Sequence, residues 1–292
     1  MIPGFLKAEV EGRLEATTGR KAAIIGFMPV SGGCINSCFR IETTNGNYFL
    51  KFNFANRYPL MFETEASGLQ LISKSNAISV PVVIASGEAR DLSFLVLEWI
   101  EGGRRIKNFW NDFGVKLANL HRKSAATFGF NADNYIGSLS QSNHQHETWT
   151  DFFIHERLEP QVRLALENRA IDSVTVKRFN LLFAKLDEII PEEKPALLHG
   201  DLWNGNFLIN AQGEATLIDP AVYYGHREMD LAMTKLFGGF DPDFYKAYEE
   251  SFPLAKGFES RIAIHNLYPL MVHVNIFGGG YIEQVKSILK QF

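Results

Sequence analysis

Leu197-Leu198-His199-Gly200-Asp201-Leu202-Trp203-Asn204-Gly205-Asn206-Phe207-Leu208-Ile209 is an apolar run, a polar loop and a second apolar run, and Leu217-Ile218-Asp219-Pro220 follows one short hairpin later. Phosphoryl transfer from a nucleotide requires an Asp that orients the attacking hydroxyl and accepts its proton. It also requires an Asn five positions on and a second Asp at a strand end, which hold Mg2+ against the phosphates. Asp201, Asn206 and Asp219 have those types in that order. A hard cation takes oxygen ligands, and the amide of Asn206 and the carboxylate of Asp219 supply them. Asp, Asn and Gly also favour ordinary turns, but a turn has no need of His199 or Trp203.

The same chemistry needs a strand lysine to meet the phosphates and a helix glutamate to hold it. Lys51 is the only charged residue of Tyr48-Phe49-Leu50-Lys51-Phe52, and the helix that follows carries Phe62-Glu63-Thr64-Glu65-Ala66. Glu65 is favoured over Glu63 as its partner, against the alternative of a solvent-facing lysine on a sheet edge. Ser31-Gly32-Gly33-Cys34-Ile35-Asn36 supplies a glycine turn whose N–H groups suit phosphate. It lacks a full G-x-G-x-x-G spacing and reads equally as a hairpin loop.

Around these residues the first hundred positions are strand-rich. Short β-branched or apolar runs fall at 22–29, 35–42, 47–53, 82–86 and 92–100, and Asn45-Gly46 marks a hairpin between the second and third. One helix is predicted near 58–75, with Phe62, Ala66, Leu69 and Ile72 on one face. Glu101-Gly102-Gly103 punctuates the chain as a flexible joint. Beyond it, helices are predicted at 107–124, 148–166 and 173–189, with three more after Arg227. The expectation is an α+β chain with two lobes: residues 1–100, a small antiparallel sheet with one helix, for the nucleotide, and residues 101–292, mainly helical, for catalysis and substrate.

The chain has 292 residues, 46% of them hydrophobic, which is ample for a core and excludes a disordered or fibrous chain. Lys+Arg number 29 against 33 Asp+Glu, a net charge of −4, which argues against nucleic-acid or acidic-membrane binding. Two cysteines make neither a disulfide framework nor a thiolate metal site. Residues 1–10 lack the pattern of a leader, and the apolar stretch 261–280 is interrupted by His265, Asn266, His273 and Asn275. A cytoplasmic protein, monomer or homodimer, is expected.

The sequence resembles the fructosamine kinase (ketosamine-3-kinase) family, within the aminoglycoside-phosphotransferase and protein-kinase-like superfamily, over nearly its whole length. The resemblance is carried by Gly32-Gly33-Cys34-Ile35-Asn36, the Lys51 strand, Leu97-Glu98-Trp99, Phe128-Gly129-Phe130, Gln141 with Asn143, and Trp149 with Phe152-Phe153. It continues through His199 to Asn206, Ile218-Asp219-Pro220-Ala221, Tyr224 to Ala232, and Leu267-Tyr268-Pro269-Leu270 to Gly279. It implies a bilobal protein-kinase-like fold and ATP-dependent phosphorylation of a ketosamine (fructosamine, ribulosamine or erythrulosamine, free or on protein lysines) at its 3-hydroxyl, a deglycation step. Asp-Pro in place of Asp-Phe-Gly and the lack of an Ala-Pro-Glu element count against a protein kinase. By this resemblance Asp201 is the base, Asn206 and Asp219 hold Mg2+, and Lys51 with Glu65 meets phosphate. Backbone at Glu98, Trp99 and Ile100 contacts adenine, and Asp230 braces the catalytic loop.

His199, Trp203, Gln141 and Asn143 are candidate substrate contacts; for Trp203, a sugar platform and packing beneath the loop stand as equal alternatives. His144 and His146 read as a polar loop rather than a metal site, and His265 and His273 as core or interface residues. Cys34 is either a reactive thiol within the phosphate loop or a small buried hydrophobe. Two other functions remain open: a related kinase acting on an aminoglycoside or choline-like alcohol, and a catalytically silent nucleotide-binding protein.

Overall fold

The computed structural model describes residues 1–30 and 35–292; the glycine turn at Gly32, Gly33 and Cys34 lies outside them. In chain order the strands are β1 (Ile24–Pro29), β2 (Ser37–Thr43), β3 (Gly46–Phe54), β4 (Val83–Ala89), β5 (Leu92–Glu98), β6 (Asn134–Ile136), β7 (Leu139–Gln141), β8 (Ala196–Leu198), β9 (Phe207–Ile209), β10 (Ala215–Leu217) and β11 (Tyr223–Gly225). The helices are α1 (Gly4–Thr18), α2 (Met61–Lys74), α3 (Phe109–His121), α4 (Trp149–Phe152), α5 (Glu159–Glu167), α6 (Ser173–Phe183), α7 (Leu186–Ile189), α8 (Glu228–Leu236), α9 (Pro242–Ser251), α10 (Phe258–His265), α11 (Leu267–Phe277) and α12 (Tyr281–Leu289). A π-helical segment, Phe153–Leu158, joins α4 to α5.

Packing divides the chain into two compact units. The first is Met1–Phe109 with Phe207–Pro220, and the second is Trp110–Asn206 with Ala221–Phe292.

In the first unit an antiparallel five-stranded sheet runs in the order β1-β2-β3-β5-β4. Side chains alternate across a strand. Leu50 and Phe52 of β3 therefore join a core with Leu6, Val10 and Leu14 of α1, and Lys51 between them faces the other side. Its backbone is paired to Cys38 of β2 and Leu95 of β5, so it sits in the middle of the sheet and not at an edge. The expectation of one helix here is corrected to two. Helix α1 shows the core only one residue per turn, Leu6, Val10 and Leu14, among charged neighbours. That narrow stripe is easily passed over, although Gly19 closes the helix in the left-handed conformation.

The β9–β10 hairpin packs with this unit because the segment after β5 binds it. Gly103 N donates to Ile209 O at 2.9 Å and Ile106 N to Gly213 O at 3.2 Å. A Cβ on Gly103 would stand 2.0 Å from Asn210 O. The glycine pair expected to act as a flexible joint thus contains a point of close backbone approach.

In the second unit, Phe152, Phe153, Leu158, Phe179, Leu198, Tyr223, Leu267 and Met271 belong to one buried core. The single predicted helix 148–166 is realised with a π turn, and 173–189 breaks after Phe183 into α6 and α7. Residues beyond Arg227 form α8 to α12, not three helices. Two of the extra breaks fall at Gly257 and Asn266, where no long polar linker marks them.

Candidate active site

The first unit brings three of the expected residues together. Lys51 Nζ donates to Glu65 Oε1 at 2.7 Å and to Asp219 Oδ1 at 2.6 Å. Helix α2 delivers Glu65, and not Glu63, to the buried ammonium. Burial opposes the charge on Lys51, but Asp219 and Glu65 outweigh it and hold its pKa above the usual lysine value. Burial likewise pushes the Glu65 carboxyl up, and Lys51 offsets this only in part. Asp219 differs from both, since its side chain is 50% exposed. Its backbone is left-handed, with φ 53°, although it precedes Pro220, which favours extended conformations. Strain of this kind in a non-glycine residue concentrates where function fixes a side chain.

Cys38, across the ladder from Lys51, is pushed up to about 11 by burial, so its thiol stays protonated at neutral pH. Glu98 N donates to Val82 O at 2.9 Å and Glu98 Oε2 accepts from Val82 N at 3.1 Å. Trp99, next in line, lies 5.1 Å from the Arg40 guanidinium, and Ile100 leaves the strand partly exposed.

In the second unit β8 runs into the loop at His199. Asn206 Nδ2 donates to Asp201 O at 2.8 Å and to Asp201 Oδ2 at 2.9 Å. The side-chain NH2 of Asn206 is thereby engaged with Asp201.

Under the loop, Asp230 of α8 is 1% exposed. Its carboxylate accepts from His199 N at 2.7 Å and from Gly200 N at 2.9 Å. His121 of α3 donates from Nε2 to the same carboxylate at 3.2 Å, and its Nδ1 meets the Tyr248 hydroxyl at 2.8 Å. Burial alone would raise the Asp230 carboxyl; the hydrogen bond and charge of His121, then His199 and the Gly200 amide, hold it below its ordinary value. Gly200 has φ 85°, and a Cβ there would stand 2.0 Å from Ala221 O, so only glycine lets the loop turn here. His121 and Tyr248 were not foreseen. Their signal lies in tertiary pairing across about a hundred residues, which no local spacing reports.

The remaining candidates separate. Trp203 is 36% exposed, its ring edge-on to Phe237 at 5.9 Å. His199 is fully buried, and its Nδ1 accepts from Asp201 N at 3.2 Å, so it shapes the loop from inside. Gln141 and Asn143 are also interior, at 2% and 1% exposure. Gln141 Oε1 accepts from the phenol of Tyr268 at 2.6 Å, and Asn143 Oδ1 from Arg157 at 2.7 Å. The substrate rim expected of these two amides is instead a buried framework, because the π turn carries Arg157 inward against Asn143 and over the Tyr223 ring at 4.0 Å.

Elsewhere, His146 Nε2 bonds Glu156 at 2.9 Å within its loop. His226, Glu228 and His265 cluster closely enough for a metal ion, yet Arg261 already holds Glu228 through two nitrogens at 2.8 and 2.6 Å. No helix among the described residues is long and apolar enough to cross a membrane.

The chain matches the fructosamine kinase family model over residues 6–292. It is 41% identical over 267 residues to an Enterococcus faecium protein described as a ketoamine kinase, covering 91% of this chain and 94% of that one. It is 36% identical over 282 residues to the chloroplastic protein-ribulosamine 3-kinase of Arabidopsis thaliana, covering 94% and 85%. A crystal structure from Thermobifida fusca bearing a fructosamine-3-kinase description superposes with a TM-score of 0.86 at 33% identity, covering 96% of this chain and 97% of that one. By sequence along its length and by fold, this chain belongs to the fructosamine kinase family.

Proposed function

We propose that the chain transfers the γ-phosphoryl group of ATP to the 3-hydroxyl of a ketosamine, free or borne by a protein lysine. It is a phosphotransferase of the ketosamine kinase type. The observation that carries this reading is the loop in which Asn206 fixes the Asp201 carboxylate at 2.9 Å while buried Asp230 holds the loop's own amides. Asp201 accepts the hydroxyl proton as the sugar oxygen bonds to phosphorus and the bond to ADP breaks. General-base groups contribute about 10²–10⁴-fold to such steps.

Lys51, held by Glu65, meets phosphate charge, and backbone at Glu98 to Ile100 holds the adenine. Asp219 and Asn206 would hold Mg2+, which would supply charge neutralisation at the phosphates. Phosphate binding by Gly32, Gly33 and Cys34, and a division into a nucleotide part at 1–100 and a catalytic and substrate part at 101–292, complete the proposal. Asp230 supports the loop, and a cytoplasmic location would supply the ATP.

The test is ADP production from ATP with ribulose- and fructose-lysine, choline and aminoglycosides as acceptors. Turnover confined to the ketosamines, and lost in Asp201→Asn with ATP binding retained, is expected. Turnover of choline or an aminoglycoside alone, or an active Asp201→Asn enzyme, would overturn the assignment.

A further inference from the structure

A ketosamine has two ends. Phosphate goes to the sugar, while the nitrogen, an alkylammonium near neutral pH, carries the amine with which the sugar condensed. In the second unit a line of aromatic rings begins at Trp203, two residues beyond Asp201. Trp203 meets Phe237 edge-on at 5.9 Å, Phe237 lies 4.9 Å from His273, and His273 lies 5.4 Å from Phe277 and 5.0 Å from Tyr281. The line is open to solvent at both ends, Trp203 being 36% and Phe277 55% exposed. Asn204 Nδ2 donates to Gly239 O at 3.1 Å, which ties the turn after Phe237 to the catalytic loop. Glycines flank the line, and at Gly239, Gly278, Gly279 and Gly280 the space where a Cβ would stand is empty.

Charge also fits. Aromatic faces attract an ammonium. His273 Nδ1 donates to Pro269 O at 2.7 Å, and burial lowers the ring's pKa, so His273 adds no positive charge to the line at neutral pH.

We propose that this line of rings is the subsite for the amine half of the ketosamine. The ammonium sits against Trp203 and Phe237, and the carbon chain it bears runs along His273, Phe277 and Tyr281. The enzyme therefore selects ketosamines on a long side chain, such as lysine within a peptide, over those on a short polar amine. This rests on the ketosamine reaction proposed above, with Asp201 as base.

The test compares two acceptors, the ribulose adduct of Nα-acetyl-lysine amide on its ε-amine and that of methylamine, in the parent enzyme and in Phe277→Ala and Phe277→Leu. Phe277→Ala should raise KM for the lysine adduct about 5–10-fold, with kcat, and KM for the methylamine adduct, within about twofold of the parent. Phe277→Leu should recover most of the loss. Equal shifts for both adducts, or none for either, would overturn the subsite. So would a change in sedimentation mass without a selective KM effect, because the rings would then cover a second copy of the chain. If the parent enzyme turns over neither adduct, the ketosamine reaction itself is overturned, a result distinct from loss of selectivity alone.

Discussion

In the first unit Asp219 is held by a charge: a single buried ammonium, Lys51, ties it to Glu65 while half its side chain stays in solvent. In the second unit Asp230 does the holding. It is almost wholly buried and spends its carboxylate on two backbone amides and a histidine. Charge pairs tolerate movement, because the force falls off slowly with distance, whereas hydrogen bonds to backbone fix position within a few tenths of an ångström. The first region suits a group that must exchange one partner for phosphate or metal. The second suits a base whose place is set before substrate arrives.

That contrast can be broken most directly at Asp201, the proposed base. Asp201→Asn should lower kcat about 10²–10⁴-fold while leaving the melting temperature near that of the parent, checked by single-turnover kinetics and calorimetry. A large loss of stability would mean that Asp201 belongs to the framework and not to the chemistry.

Next come the two anchors. Asp230→Ala leaves the His199 and Gly200 amides and His121 without their shared acceptor and should cost about 3–5 kcal/mol of stability, read by denaturant unfolding. Lys51→Met should cost less. The penalty should also shrink as pH falls, since Glu65, whose carboxyl burial pushes up, can take up a proton and lose its buried charge, whereas the Asp230→Ala penalty should hold until pH falls below the ordinary aspartate range, because that carboxyl is held low. Equal, pH-independent losses would erase the distinction between the regions.

A smaller effect sharpens the account of the second unit. Burial, then the charge of His265, hold His226 down to about 4. Its pKa is below the unfolded value, so this contribution is present in full above about pH 6.5 and is lost as pH falls toward 4. The unit should be about 2 kcal/mol less stable at pH 5 than at pH 8 from this group. Unfolding of His226→Gln should show a flatter slope in that window; an unchanged slope would remove His226 as the cause. Smallest is the thiol. In a Cys34→Ser background, Cys38 should react with iodoacetamide at pH 8 more slowly than a free cysteine, as followed by peptide mass mapping, since its pKa of about 11 leaves little thiolate.

Much of the fold was legible because its signals are local. The β2–β3 hairpin shows itself in Asn45-Gly46, α2 in Phe62, Ala66, Leu69 and Ile72, and the polar loop between β8 and β9 in the residues from His199 to Asn206. Where the stripe was one residue per turn, at α1, the pattern was too thin. Gln141 and Asn143 were misplaced for another reason: amides in a polar, histidine-bearing loop read as a rim until a π turn brings a buried arginine to them. The break at Asn266 was masked by the apolar residues on both of its sides.

Sequence alone determined the family, and it carries the residue types and order of the proposed site, because carboxylate, amide and ammonium recur at fixed chain spacings around short loops. Tertiary structure alone decided that Lys51 takes Glu65 and Asp219 together, that residues 207–220 pack with the first unit, and that Tyr248 and His121 stand behind Asp230. These pairings join positions up to 168 residues apart. They exist only once burial strips water from the groups and leaves each to find its partner within the protein.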